Sequence, residues 1–96
     1  MKVPEKGCAI CEATWGDHWD VVDGQRIFFC CDICAAEFKN MVGKVKERTG
    51  WKMIDEIKLT GDYRGREGTA HYGDKKYNFF VRFDSKGGLD IFNERS

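Results

Sequence analysis

Residues 7–34, "GCAICEATWGDHWDVVDGQRIFFCCDIC", hold all five cysteines of the chain: Cys8, Cys11, Cys30, Cys31 and Cys34. Cys8-Ala9-Ile10-Cys11 is a CxxC, a spacing that lets two thiolates of one tight turn meet the same tetrahedral ion. Beyond it, Trp19 and Val21 alternate with Asp20 and Val22. Asp23-Gly24 then supplies the positive φ angles of a two-residue hairpin turn, and "QRIFF" reads as the return strand. That strand runs straight into Cys30. From Asp32 onward the apolar period changes from two to about 3.6, with Cys34, Phe38, Met41, Val42 and Val45 on one stripe, which predicts a helix. The helix ends near Thr49-Gly50, where glycine can take the left-handed cap. Cys31 with Cys34 repeats the CxxC spacing, while Cys30 with Cys34 bridges strand end and first helical turn as CxxxC. Spacing permits either pair.

Knuckle, hairpin, then a helix whose first turn carries a second cysteine pair is the arrangement of a treble-clef zinc module. In so small a unit a bound Zn²⁺ contributes folding free energy directly, on the order of 10 kcal/mol, where a few large apolar side chains could hardly offset chain entropy. Four thiolates close the coordination sphere and leave no open position for water or substrate, so the expected site is structural rather than catalytic.

The stretch "CAIC" followed by "VVDGQRIFFCCDICAAEF" is similar to the CxxC, strand, aromatic-Phe-Cys-x-x-x-Cys-x-x-x-Phe pattern of the TRASH, YHS and FCS-type zinc families. It also resembles the zinc unit of a ribosomal large-subunit protein, and the whole chain looks like a small archaeal protein of that broad group. The likeness covers about residues 7–40. It implies Cys8, Cys11, Cys30 and Cys34 as the metal ligands, Phe38 as a core residue of the helix, and Cys31 as a free thiol beside the site or an alternate ligand.

Ninety-six residues suit one small domain or two sub-domains of about 50 residues each, and units that small commonly need a metal, disulfides or a partner. The sequence divides near Gly50 into a zinc-binding module, 1–50, and an antiparallel sheet region, 51–96, packed together as one unit. Sixteen basic and sixteen acidic residues cancel, so whole-chain charge points to neither nucleic acid nor membrane. The opening "MKVPEKGCAI" lacks the apolar run of a signal peptide, and "IFFCC" and "FFV" are far too short to span a bilayer. A soluble, cytoplasmic protein is expected, with no membrane as partner. An odd cysteine count in two tight groups disfavours a disulfide framework. A redox CxxC should open a helix after a buried strand, and "MKVPEKG" is no such strand.

After Gly50 the sequence reads as a meander. Strands are expected around Ile54 to Leu59, in "REGTAHY", in "KKYNFFVRFD" and in "LDIFNE". Gly61-Asp62, Gly73-Asp74 and Ser85-Lys86-Gly87-Gly88 are the expected turns. In the third strand Tyr77, Phe79, Val81 and Phe83 face a core, joined by Leu89 and Ile91. Phe80 lies on the other side with Lys76, Asn78 and Arg82, and Phe92 near it. The fold class is therefore small α+β, a treble-clef module followed by an antiparallel meander.

A sheet face bearing Phe80, Phe92, Lys76 and Arg82 has the chemistry to stack bases and hold phosphates, though packing of that face against the helix is the commoner arrangement. Around the helix, Lys39, Lys44, Lys46, Arg48 and Lys52 outnumber Glu37 and Glu47. A four-thiolate zinc site carries a formal charge of −2, which this excess can partly neutralise. His18, in "WGDHWD", is a candidate substitute ligand, more ordinarily a residue that caps the loop; His71 sits on an expected strand without a partner cysteine. No nucleophile elbow, phosphate loop or HExxH occurs, and Asp55-Glu56 point to opposite faces of a strand. The expectation is a non-enzymatic, zinc-binding interaction module for a protein or for RNA or DNA, with no small-molecule substrate. The alternative is a TRASH-like protein that senses or carries a heavy metal such as copper or zinc on a labile thiolate site.

Overall fold

In the computed structural model, residues 7–11, 13–62 and 64–95 are described. The opening six residues, where no strand is expected, lie outside them. Across the described residues the chain is small α+β, with one helix, a two-stranded hairpin and a four-stranded antiparallel meander.

Strands β1 (His18–Val22) and β2 (Gln25–Phe29) pair with Val22 opposite Gln25. Asp23 at φ 53° and Gly24 at φ 77° make the turn between them, the doubly positive pair that matches the twist of a hairpin. Helix α1 (Asp32–Thr49) buries Cys34, Ala35, Phe38, Met41, Val42 and Val45. It stops at Gly50, whose φ of 77° is left-handed and whose N–H donates to the Lys46 carbonyl at 2.8 Å. Two helix cations bind the hairpin: Lys39 Nζ lies 2.5 Å from Asp20 Oδ2, and Lys46 pairs with Asp23. The basic excess of the helix is thus partly spent on docking it against β1 and its turn.

The meander consists of β3 (Glu56–Asp62), β4 (Gly65–Tyr72), β5 (Lys75–Phe83) and β6 (Leu89–Arg95), paired in sequence order. Ile57, Ala70, Tyr77, Phe79 and Val81 line its inner face and join one buried cluster with Ile27, Phe29, Phe38, Met41 and Val45 from the first half.

Four expectations need correction. The first sheet strand begins at Glu56, not Ile54; Ile54 is fully buried just ahead of it, where Asp55 instead donates to the His71 carbonyl at 2.8 Å and accepts the Gly73 N–H at 2.7 Å. Gly61-Asp62 is the end of β3 rather than a turn. Gly61 is needed there because a Cβ would sit 2.4 Å from the Gly65 carbonyl oxygen across the ladder, and Asp62 opens the turn that follows by accepting the Arg64 N–H at 2.9 Å.

The third correction concerns β6. Its pairing with β5 breaks register between Arg82 and Phe83: Ile91 stands opposite Arg82, while Leu89 stands opposite Phe83. This bulge reverses the alternation, so Leu89 and Phe92 share the inner face and Ile91 takes the outer one. Phe92 stacks on Phe79, ring centroids 5.1 Å apart, and lies under the Arg48 guanidinium of the helix. Phe80 stays on the outer face without Phe92, its ring covering Gly65 and approached by Arg95. The paired Phe80–Phe92 stacking platform does not exist, and the face that packs on the helix is the opposite one. Fourth, His18 is a residue of β1 rather than a loop cap, with its Nε2 3.9 Å from Asp20 Oδ2.

Candidate metal centre

The cysteines converge because each segment that bears them is tied to β2. The turn at Cys8–Cys11 is closed by the Cys8 N–H donating to the Ala13 carbonyl at 2.9 Å, and it is anchored by the Ala9 N–H donating to Phe28 at 3.2 Å. Cys30 follows the last residue of β2. Cys31 then stands at the N-cap of α1, and Cys34 lies in the first turn. The loop between knuckle and β1 presses on the same spot: at Gly16, with φ 95°, a Cβ would lie 2.1 Å from the Cys30 carbonyl oxygen.

The sulfurs of Cys8, Cys11, Cys30 and Cys34 all lie within 4.8 Å of one another. Cys11 to Cys30 and Cys30 to Cys34 are each 3.5 Å. Four sulfurs bound at about 2.3 Å to one tetrahedral ion stand roughly 3.8 Å apart, so the donor set fits a metal ion with little movement. Cys31 Sγ is 3.8 Å from Cys30 Sγ but outside the group of four. No cysteine among the described residues is in a disulfide. His18 and His71 are not members of the cluster.

Crowding splits the thiols electrostatically. Burial, with the neighbouring Cys11 thiol, pushes Cys30 up to about 12, and burial pushes Cys34 up as well. Burial also acts to raise Cys8, but the N–H groups of Cys11, Cys30 and Ile10 outweigh it and hold Cys8 below its ordinary value. Cys31 is lowered chiefly by the backbone N–H of Cys34, with that of Ile33 assisting, as expected for a thiol at a helix N-terminus. A cation at the centre of the four would favour the thiolate form at every ligand.

Exposure is uneven. Cys8, Cys30 and Cys34 are 1%, 7% and 9% exposed, whereas Cys11 is open to solvent. Cys11 and its neighbour Ile10 border two adjoining clefts of about 360 and 500 Å³. Both clefts run between the knuckle and the sheet, and Arg66 of β4 lines both. Glu37 of α1 and Asp84 of the β5–β6 connection stand on the smaller one. Gly16 and Arg66 went unnoticed in the sequence. The "WGD" glycine was a usable signal for close backbone approach, but nothing local to Arg66 reveals that β4 brings it to the cysteines.

Fold and cysteine geometry together define a small α+β protein with a four-cysteine cluster able to hold a metal ion. The chain belongs to the Ta0938 family, which it matches over residues 5–95. No curated protein and no solved structure matches it. Among the described residues no helix is long and apolar enough to cross a membrane.

Proposed function

We propose that the protein is a zinc-binding interaction module in which Cys8, Cys11, Cys30 and Cys34 hold one structural Zn²⁺ in a treble-clef unit. The observation that carries this reading is the convergence of four sulfurs from knuckle, strand end and helix start to within 4.8 Å. The resemblance of the cysteine spacing to TRASH, YHS and FCS-type units supports the same assignment. All-sulfur coordination in a tetrahedral set favours zinc among divalent ions. With four protein ligands the ion would have no open position, and the reading is accordingly of a non-enzyme.

The interaction surface that fits best is the outer face of the hairpin. Trp19 and Val21 are 46% and 60% exposed, Arg26 lies over the Trp19 ring at 4.7 Å, and Phe28 meets Trp19 edge-on; Trp15, in the segment that leads into β1, is 66% exposed. Tryptophan and arginine are the side chains most enriched in binding hot spots, and contiguous exposed aromatics mark contact sites. The neutral net charge of the chain favours a protein partner over nucleic acid.

Native mass spectrometry of the purified protein tests the metal assignment, with each cysteine changed to serine. One tightly bound zinc, lost in Cys8→Ser, Cys11→Ser, Cys30→Ser and Cys34→Ser but retained in Cys31→Ser, is the expected result. Absence of bound metal would overturn it, and copper binding that needs Cys31 would favour a metal-carrying role. The open Cys11 and the extra thiol at Cys31 are the observations that support this second reading.

A further inference from the structure

Two CxxC motifs lie in the cysteine-rich stretch, and the four-sulfur set takes both cysteines of only the first. The second, Cys31-Asp32-Ile33-Cys34, shares Cys34 with that set and leaves Cys31 outside it. It also has the placement that the first lacks. A redox CxxC opens a helix after a buried strand. Cys31 is the N-cap of α1 and Cys34 lies in its first turn, while β2, whose Ile27 and Phe29 are buried, ends at the residue before Cys30. Cys31 is partly open to solvent and Cys34 is buried. An accessible sulfur one helical turn from a buried one is the arrangement of an attacking thiol beside a resolving thiol. Cys30 Sγ is also close to Cys31 Sγ, at 3.8 Å. Adjacent residues, however, hold their Cα atoms about 3.8 Å apart, closer than the roughly 4.4 Å minimum of an ordinary disulfide. Cys34 is therefore the less strained partner for Cys31.

We propose that Cys31 and Cys34 are a reversible redox pair, which a small disulfide of the glutathione type oxidises to an intrachain disulfide, withdrawing Cys34 from the four-sulfur set. The disulfide stands apart from the metal reading; its consequence for the metal rests on that reading. Cys31, as thiolate, attacks one sulfur of the small disulfide. A bond forms between the two sulfurs, the original S–S bond breaks, and one small thiolate departs. Cys34 Sγ then attacks Cys31 Sγ, the mixed disulfide breaks, and the second small thiolate departs. The cysteine pair is oxidised by two electrons and the small disulfide is reduced to two thiols, which take up by way of water the protons that the cysteines give up. Once bonded to Cys31, Cys34 no longer serves as the fourth ligand, so the disulfide and the complete metal set exclude each other. Without an oxidant the set stays closed, as a structural site requires, and Cys31 is the one cysteine it leaves free to react.

The test uses the full chain supplied with zinc. Zinc stoichiometry is measured first; a protein that binds none refutes the metal reading, and the disulfide mapping that follows still decides the redox pair on the same sample. Glutathione disulfide is then added, free thiols are blocked with N-ethylmaleimide at intervals, and the products are mapped by mass spectrometry. The expected course is a glutathione adduct at Cys31, followed by a disulfide between Cys31 and Cys34 that excess reduced glutathione reopens. In the loaded protein zinc release should follow the disulfide, and Cys31→Ser, which keeps its zinc, should slow that release about tenfold or more. Cys34→Ser should stop at the adduct; should that variant fail to fold, the order of products in the unaltered chain and the Cys31→Ser comparison carry the test. A first disulfide between Cys8 and Cys11 or in any pair without Cys31, a disulfide that reduced glutathione does not reopen, or zinc release at an unchanged rate in Cys31→Ser would overturn the proposal.

Discussion

Gly16 packs its backbone against Cys30, so closely that a Cβ at Gly16 would stand 2.1 Å from the Cys30 carbonyl oxygen. With φ at 95°, the position is also one that side chains other than glycine's rarely adopt. Gly16→Ala should therefore displace the loop from the end of β2 and loosen the cysteine cluster. The expected outcome is a loss of about 2 kcal/mol or more of stability together with weaker zinc retention. Chelator competition checks it. Unchanged metal affinity in a folded Gly16→Ala protein would show that this contact does not support the site.

On the structural-zinc reading, removal of the ion should unfold the chain. A structural zinc contributes on the order of 10 kcal/mol, comparable with the whole stability of a small domain. Because both halves share one buried cluster, the loss should spread from the knuckle into the sheet. Circular dichroism with zinc-release detection follows both. Acid should act through the same step. Asp20, beside Lys39, and Asp84, which accepts the N–H groups of Lys86 and Gly88, are held below the usual carboxylate range. Their folded pKa values are depressed, so their contribution is complete above about pH 4 and is lost only as pH falls through the folded values. Protons compete with the metal for thiolates at higher pH than this, so acid unfolding should coincide with zinc release and precede carboxylate titration. Zinc release only after the carboxylates have titrated would contradict the prediction.

The two phenylalanines of the last strands should differ in weight. Phe92→Ala removes a ring stacked on Phe79 and facing the helix, and should cost about 3 kcal/mol; Phe80→Ala removes a ring on the outer face and should cost about 1 kcal/mol. Urea denaturation of the metal-loaded variants measures both. Equal costs would argue against the β6 register.

Tyr77 buries its hydroxyl without a hydrogen-bond partner among the described residues, and burial raises its pKa. Tyr77→Phe keeps the ring stacked on Phe79 and relieves the unpaired group, so stability should stay level or rise by about 1 kcal/mol. A clear loss in thermal melting would mean that the hydroxyl has a partner in solution.

Legibility followed the range of the interaction. The Asp23-Gly24 turn, the 3.6-residue stripe from Cys34 to Val45, the stop at Gly50 and the alternation through Tyr77, Phe79 and Val81 are properties of a few neighbouring residues, and they were readable one segment at a time. The β6 face was not, because a single bulge opposite Arg82 and Phe83 reverses the alternation and leaves no local mark.

The cysteine cluster shows the same division. By itself the sequence determined that two cysteine pairs sit at a knuckle and at a helix start joined by a hairpin, since spacing and turn chemistry are local. Spacing left Cys30 and Cys31 open, with the resemblance favouring Cys30; the tertiary structure turns the Cys30 sulfur toward Cys11 and Cys34, leaves Cys11 as the open one of those four, and brings Arg66 beside it. Those outcomes depend on the angle at which α1 leaves β2 and on the docking of a sheet from the far half of the chain. Both are settled by the packing of one shared core and are invisible to any short window of residues.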